Sequence, residues 1–141
     1  MRAVDTNVLV RALVRDDTAQ SARAEAFISK HEIFVPVTVI LELEWVLRSR
    51  YAFAPKLVSQ ALEKITTLAN VVVGERMAVR AAAARVLQGW DFADALHHAL
   101  SEGCEDFATL DADLIRRAAR GSKVVPAVTK IRRRDESEAV G

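Results

Sequence analysis

Short apolar runs of strand length alternate along this chain with longer stretches in which apolar residues recur every three or four positions. These are the spacings of strands and of one-faced helices. The first run, Ala3 and Val4, ends in Asp5, and the helical pattern Val8, Leu9, Leu13 follows it. Residues 18–31 predict a second helix with Ala22, Ala26 and Phe27 inward, and 33–37 a β-branched strand. Thr38 is placed to cap a third helix over 39–50 that buries Val39, Leu43, Val46 and Leu47. After a loop at 51–54, Pro55 occupies a first-turn position of a helix reaching residue 68 and burying Val58, Leu62 and Ile65. Residues 70–73 predict a third strand, 75–88 an alanine-rich helix, and 91–103 a helix closed by Gly103. A fourth strand at 106–109, a helix at 112–120 and a fifth strand at 124–128 complete the pattern. Strands alternating with helices, with no hairpin signal between them, predict an α/β fold: a parallel sheet covered by helices on both faces. From residue 129 the chain turns polar and aperiodic, so 1–128 reads as one domain and 129–141 as a charged, solvated tail.

Composition narrows the classes without choosing one. The chain has 141 residues, enough for a normal core, with 28% charged and a net charge of +1. No apolar run approaches the roughly 18–20 residues of a membrane span, and no signal-peptide pattern opens the chain. Cys104 is the only cysteine, so a reducing cytoplasm is the expected setting. There is no glycine-rich phosphate loop, nucleophile elbow or zinc pattern. A phospho-acceptor aspartate would want a lysine at the C-terminal end of the last strand, and Lys123 stands at its N-terminal end.

The acids carry the chemistry. Asp5 ends the first strand, where open α/β sheets place their ligand sites, and it also suits a helix cap. Glu42 lies one turn into the third helix, at the edge of its expected buried face. Glu44, four residues before Arg48, reads as a surface acid in an i,i+4 ion pair. Asp91 reads as a helix cap. Asp94, one turn further on beside Phe92, Leu96 and Leu100, reads as partly buried and in need of a charge partner or cation. Asp111 follows the fourth strand as Asp5 follows the first, and the two converge if those strands are neighbours; Asp113 opens the next helix. Acids gathered at one sheet edge repel each other unless they hold hard cations such as Mg²⁺ or Mn²⁺. Such ions activate a water and stabilise the leaving oxygen of a phosphodiester. His97 reads as a core-edge residue, His98 as a surface or supporting one, and Cys104 lacks a basic neighbour that would activate it.

Four segments in order, Asp5-Thr-Asn-Val-Leu-Val-Arg11, Thr38-Val-Ile-Leu-Glu-Leu-Glu-Trp-Val-Leu47, Asp91-Phe-Ala-Asp-Ala-Leu96 and Ala108-Thr-Leu-Asp111, make residues 1–128 resemble the PIN-domain family. Within it, the chain is most similar to the VapC toxins of toxin–antitoxin pairs. The resemblance implies a three-layer α/β/α fold with a five-stranded parallel sheet, and Mg²⁺- or Mn²⁺-dependent endoribonuclease activity on tRNA or another structured RNA. It places the acidic quartet on Asp5, Glu42, Asp94 and Asp111, with Asp113 as an auxiliary metal ligand and Asn7 and Thr109 as supporting polar residues. It also implies a homodimer silenced by a cognate antitoxin protein.

Trp45, Tyr51 and Phe53 are the aromatics available to an antitoxin surface. Arg11 and Arg15 either hold RNA phosphates or pair with Asp16 and Asp17. A second reading keeps the acids as a structural cation site on a non-catalytic RNA- or protein-binding module.

Overall fold

The computed structural model describes residues 1–133. Two compact units divide the chain, Met1–Leu96 and His97–Gly141. In the first, β1 (Arg2–Ala3), β2 (Ile33–Val35) and β3 (Val71–Val73) form a parallel sheet in that order, with Ala3 opposite Phe34 and Phe34 opposite Val72. The connections are α1 (Thr6–Leu13) with α2 (Thr18–Lys30), and α3 (Val37–Ser49) with α4 (Pro55–Thr67); α5 (Arg76–Val86) follows β3. Both crossovers step in the same direction. With the right-handed sense such connections nearly always take, both helical pairs fall on one face of the sheet. Accordingly α3 packs against both α1 and α4, and α5 against α4.

The second unit pairs β4 (Asp106–Thr109) in parallel with β5 (Ala127–Lys130) and packs α7 (Ala112–Ala118) against them. The helix α6 (Phe92–Ala99) begins in the first unit and ends in the second. All five expected strands are present and pair in parallel, so the α/β class stands. They do not hydrogen-bond as one five-stranded sheet, however: the described ladders are one of three strands and one of two. β1 is only two residues long, and both are exposed.

Several boundaries differ from the pattern for local reasons. Pro36, with its fixed φ of −59°, ends β2, and α3 starts at Val37, so Thr38 lies inside the helix rather than capping it. Ala22 is exposed and Phe27 half-buried on α2, whose buried residues are Ser21 and Ala24. α6 stops at Ala99 and tightens into turns, with Ser101 N–H donating to His98 and Cys104 N–H to Ser101 at 3.0 Å each. Leu100 therefore leaves the helical face and is 44% exposed. The last strand begins after Pro126, which has no N–H for a ladder, and runs past residue 128 to Lys130. Thr129 and Lys130 thus belong to β5, and the expected tail from residue 134 onward lies outside the described residues. Among the described residues no helix is long and apolar enough to cross a membrane.

The core of the first unit is aliphatic: Ile33, Val35, Ile40, Leu43, Leu47 and Leu62 are fully buried, each contributing roughly 1.5–3 kcal/mol relative to exposure. One polar clamp closes it at the far end of the sheet. α2 ends on His31 without a glycine, leaving its last carbonyls without helical partners. Asn70 supplies them, its amide donating to the carbonyls of Ile28 at 2.6 Å and His31 at 2.9 Å. The Asn70→Ala variant, which strands both carbonyls, is expected to lose about 1–2 kcal/mol, read as a lower urea midpoint at unchanged slope; an unshifted midpoint would refute that role.

Candidate functional site

Asp5 leaves β1 in extended conformation, and its carboxylate accepts the Val8 N–H at 3.3 Å, capping α1. Asp5 itself is exposed. Thr6, the first helical residue, stands one turn before Leu9 and Val10 on the buried face and is only 6% exposed. Its hydroxyl donates to Glu42 of α3. Two of the four expected acids are thereby brought to consecutive residues at the start of α1: Asp5 by sequence, and Glu42 through Thr6. Thr6 is not among the site residues that the sequence pattern singles out. The signal for it was a hydroxyl on the apolar stripe of α1, since a buried hydroxyl requires an acceptor.

On α3 the roles of the two glutamates are exchanged. Glu42 is exposed, and Glu44, expected at the surface, is 4% exposed. Ile40, Leu43 and Leu47 define the buried stripe, and Glu44 falls inside it, four residues after Ile40 and three before Leu47. Counting the half-buried Val39 and Val46 as core rotated the predicted face away from it. The expected i,i+4 pair is present: Arg48 donates from Nε to one Glu44 oxygen at 2.9 Å and from Nη2 to the other at 3.5 Å. That hydrogen bond raises the Arg48 pKa against the opposing effect of burial, with charge from Glu44 and Asp91 adding to it.

Asp91 caps α6, accepting the Asp94 N–H at 3.1 Å. Asp94 is half-buried on the first turn. The two histidines are the reverse of expectation. His98 is 6% exposed, with Nε2 donating to the Pro126 carbonyl at 2.8 Å and its ring edge-on to Phe107, whereas His97 is exposed. His98 follows the buried Ala95 by one turn; reading Leu100 into the helix had turned the face toward His97.

In the second unit Asp111 caps α7, accepting the N–H groups of Asp113 at 2.9 Å and Leu114 at 3.3 Å. Thr109 accepts the Asp111 N–H on its hydroxyl at 3.0 Å and so fixes the turn that carries this acid. Asp113 is ion-paired with Arg116 and its side chain is 85% exposed. Every donor in the expected set is a carboxylate oxygen, the chemistry a hard divalent cation takes. Among the described residues no group of three or more such side chains stands close enough to hold one.

An open pocket of about 600 Å³ adjoins Asp5 and is lined also by Asn7, Arg11, Gln20, Arg23 and Phe27. Arg11 pairs with Asp16, and its Nη2 lies 3.4 Å from the Tyr51 hydroxyl. Arg15 pairs with Glu25 at 2.8 Å rather than with Asp17, which caps α2 through the Gln20 N–H. Of the three aromatics singled out, Tyr51 and Phe53 are half-buried and Trp45 is 51% exposed.

A family model described as the PIN domain matches residues 2–121. No curated protein matches the chain. The family is one of nucleases, commonly dependent on divalent metal ions and acting on nucleic acids. The matched span takes in Asp5, Thr6, Glu42, Asp94 and Asp111 and covers most of the sequence, so the chain belongs to the PIN domain family.

Proposed function

We propose that this protein is a metal-dependent endoribonuclease, the toxin of a toxin–antitoxin pair, hydrolysing phosphodiester bonds in tRNA or another structured RNA. The observation that carries the reading is the Thr6–Glu42 hydrogen bond beside Asp5, which gathers acids at the carboxyl end of a parallel strand in a chain of a nuclease family. Asp5, Glu42, Asp94 and Asp111 would hold Mg²⁺ or Mn²⁺, with Asp113 auxiliary. When bound, such an ion supplies positive charge that acidifies water and offsets charge on the leaving oxygen. The protein's own residues position the acids: Thr6 holds one Glu42 oxygen, the Asp91 cap fixes the first turn bearing Asp94, and Thr109 fixes the turn bearing Asp111. Asn7, on the wall of the pocket beside Asp5, fits a supporting role, and Arg23 there suits an RNA phosphate. The toxin assignment, with its antitoxin and homodimer, rests on the four motif segments, in which Trp45 is an exposed aromatic.

One observation favours the other reading. Asp5 and Asp111 both serve as helix caps, a role sufficient for acids in a non-catalytic RNA- or protein-binding module. The two readings separate on purified protein, a bulk tRNA pool and Mg²⁺ or Mn²⁺ with chelator as control. Because asparagine caps a helix about as well as aspartate, Asp5→Asn is expected to stay within about 0.5 kcal/mol of the parent in stability, while Asp5→Ala loses about 1 kcal/mol. Cleavage by Asp5→Asn and by Asp94→Asn is expected to fall to the chelator baseline. Wild-type rates in both folded variants, or tRNA retained uncut under metal-binding conditions, would overturn the nuclease reading.

Thr6→Val keeps the shape and removes the donor to Glu42. Its cleavage rate is expected to drop roughly 10- to 100-fold, the usual cost of losing a group that orients a metal ligand, with the urea midpoint measured alongside. An unchanged rate would remove Thr6 from the site.

A further inference from the structure

The outer face of α3 carries a second feature beside Glu42. Thr38, Leu41, Glu42, Trp45 and Arg48 follow one another at spacings of one or three residues, a stripe along one side of the helix. With Ala93, the residue before Asp94, they line a groove of about 320 Å³. That volume lies at the small end of ligand sites and suits one flat group rather than a stretch of chain. Trp45 is 51% exposed there, although its neighbours Leu43 and Leu47 are fully buried. A half-exposed indole beside a candidate acid is informative in a way that scattered surface leucines are not.

Arg48 is held in the same groove by a built support. Its Nε and Nη2 are engaged by Glu44, whose side chain is 5% exposed, so the guanidinium is anchored from beneath. Its third nitrogen, Nη1, makes no hydrogen bond to another described residue and is available as a donor. An aromatic face and a fixed donor beside the acids suit the flat face and acceptor-bearing edge of a nucleobase.

We propose that this groove is a nucleobase subsite, in which the Trp45 indole stacks one unpaired base next to the scissile bond and Arg48 donates to that base's edge. The inference rests on the ribonuclease reading and adds to it a residue that sets where the strand is cut. Stacking on Trp45 requires a base free of its duplex neighbours, so the site takes single-stranded or looped RNA and rejects continuous duplex. Stacking tolerates any base; the Arg48 donor favours those presenting acceptors.

Two measurements on the full chain test it. The first needs no activity. The chain has two tryptophans, and Trp90 is 4% exposed, so Trp45 dominates the quenchable emission. In chelator, a single-stranded oligoribonucleotide is expected to quench that emission and a duplex of the same sequence is not; Trp45→Phe, which keeps a stacking ring, is expected to bind while losing the signal. The second uses cleavage with metal present and RNAs carrying one abasic ribose at each position around the cut. The wild type is expected to show one position at which the abasic site raises KM roughly 10-fold or more. Trp45→Ala is expected to show a KM raised by a similar factor on intact RNA, kcat little changed, and indifference to the abasic site. Trp45→Phe falls between them.

Quenching by duplex equal to that by single strands, or a Trp45→Ala variant with wild-type KM, would overturn the subsite and leave the indole to a protein partner. Failure of the wild type to cut any RNA would instead sink the nuclease reading, with the quenching measurement still deciding the groove.

Discussion

A threonine hydroxyl buried at the first residue of a helix must find an acceptor, because leaving it unpaired costs about 1–3 kcal/mol. In this protein the acceptor is Glu42, reached across from a different crossover of the sheet. One bond therefore fixes three things: the entry of the chain from β1 into α1, the packing of α1 against α3, and the position of Glu42 relative to Asp5. The fold supplies the two helices, and the hydroxyl sets their register at the strand end.

Asp5 and Asp111 show how the same backbone geometry can serve stability and chemistry together. Each ends a strand, turns the chain into a helix, and accepts amide hydrogens of the first turn. The positive end of the helix favours a carboxylate at that position whether or not a cation is bound. Capping and metal binding are therefore compatible uses of one residue, and sequence position alone does not separate them. Substitution by asparagine does, since it preserves the acceptor oxygen for the cap and removes the charge.

Most elements were legible because their signals are local. Strand runs, the proline opening α4 and the acids placed as caps each act within a few residues, and the structure places them close to where the pattern did. The two errors of helix face share one cause. On α3 and α6 the buried stripe was drawn through an apolar residue that is not core, Val46 in one case and Leu100 in the other, and the face rotated. That rotation exchanged Glu42 with Glu44 and His97 with His98. A helical stripe is fixed by what packs against it, and the neighbours of α3 and α6 come from segments remote in sequence. The division of the strands into ladders of three and two is also non-local, since strand order is decided by which edges meet rather than by the composition of any strand.

The exchange on α3 changes what the helix can do. Had Glu44 been a surface acid, its pair with Arg48 would be screened and worth little, leaving Arg48 a mobile side chain. Buried at the base of the groove, Glu44 instead carries a desolvation cost that only a well-aligned partner offsets, so it constrains the guanidinium, which is itself half exposed at the groove mouth. Arg48 is thus pre-oriented beside Trp45 before any ligand arrives, and a fixed donor loses less side-chain entropy on binding than a free one. Removing Glu44 should then affect recognition at Arg48 as much as stability, whereas a purely structural pair would affect stability alone.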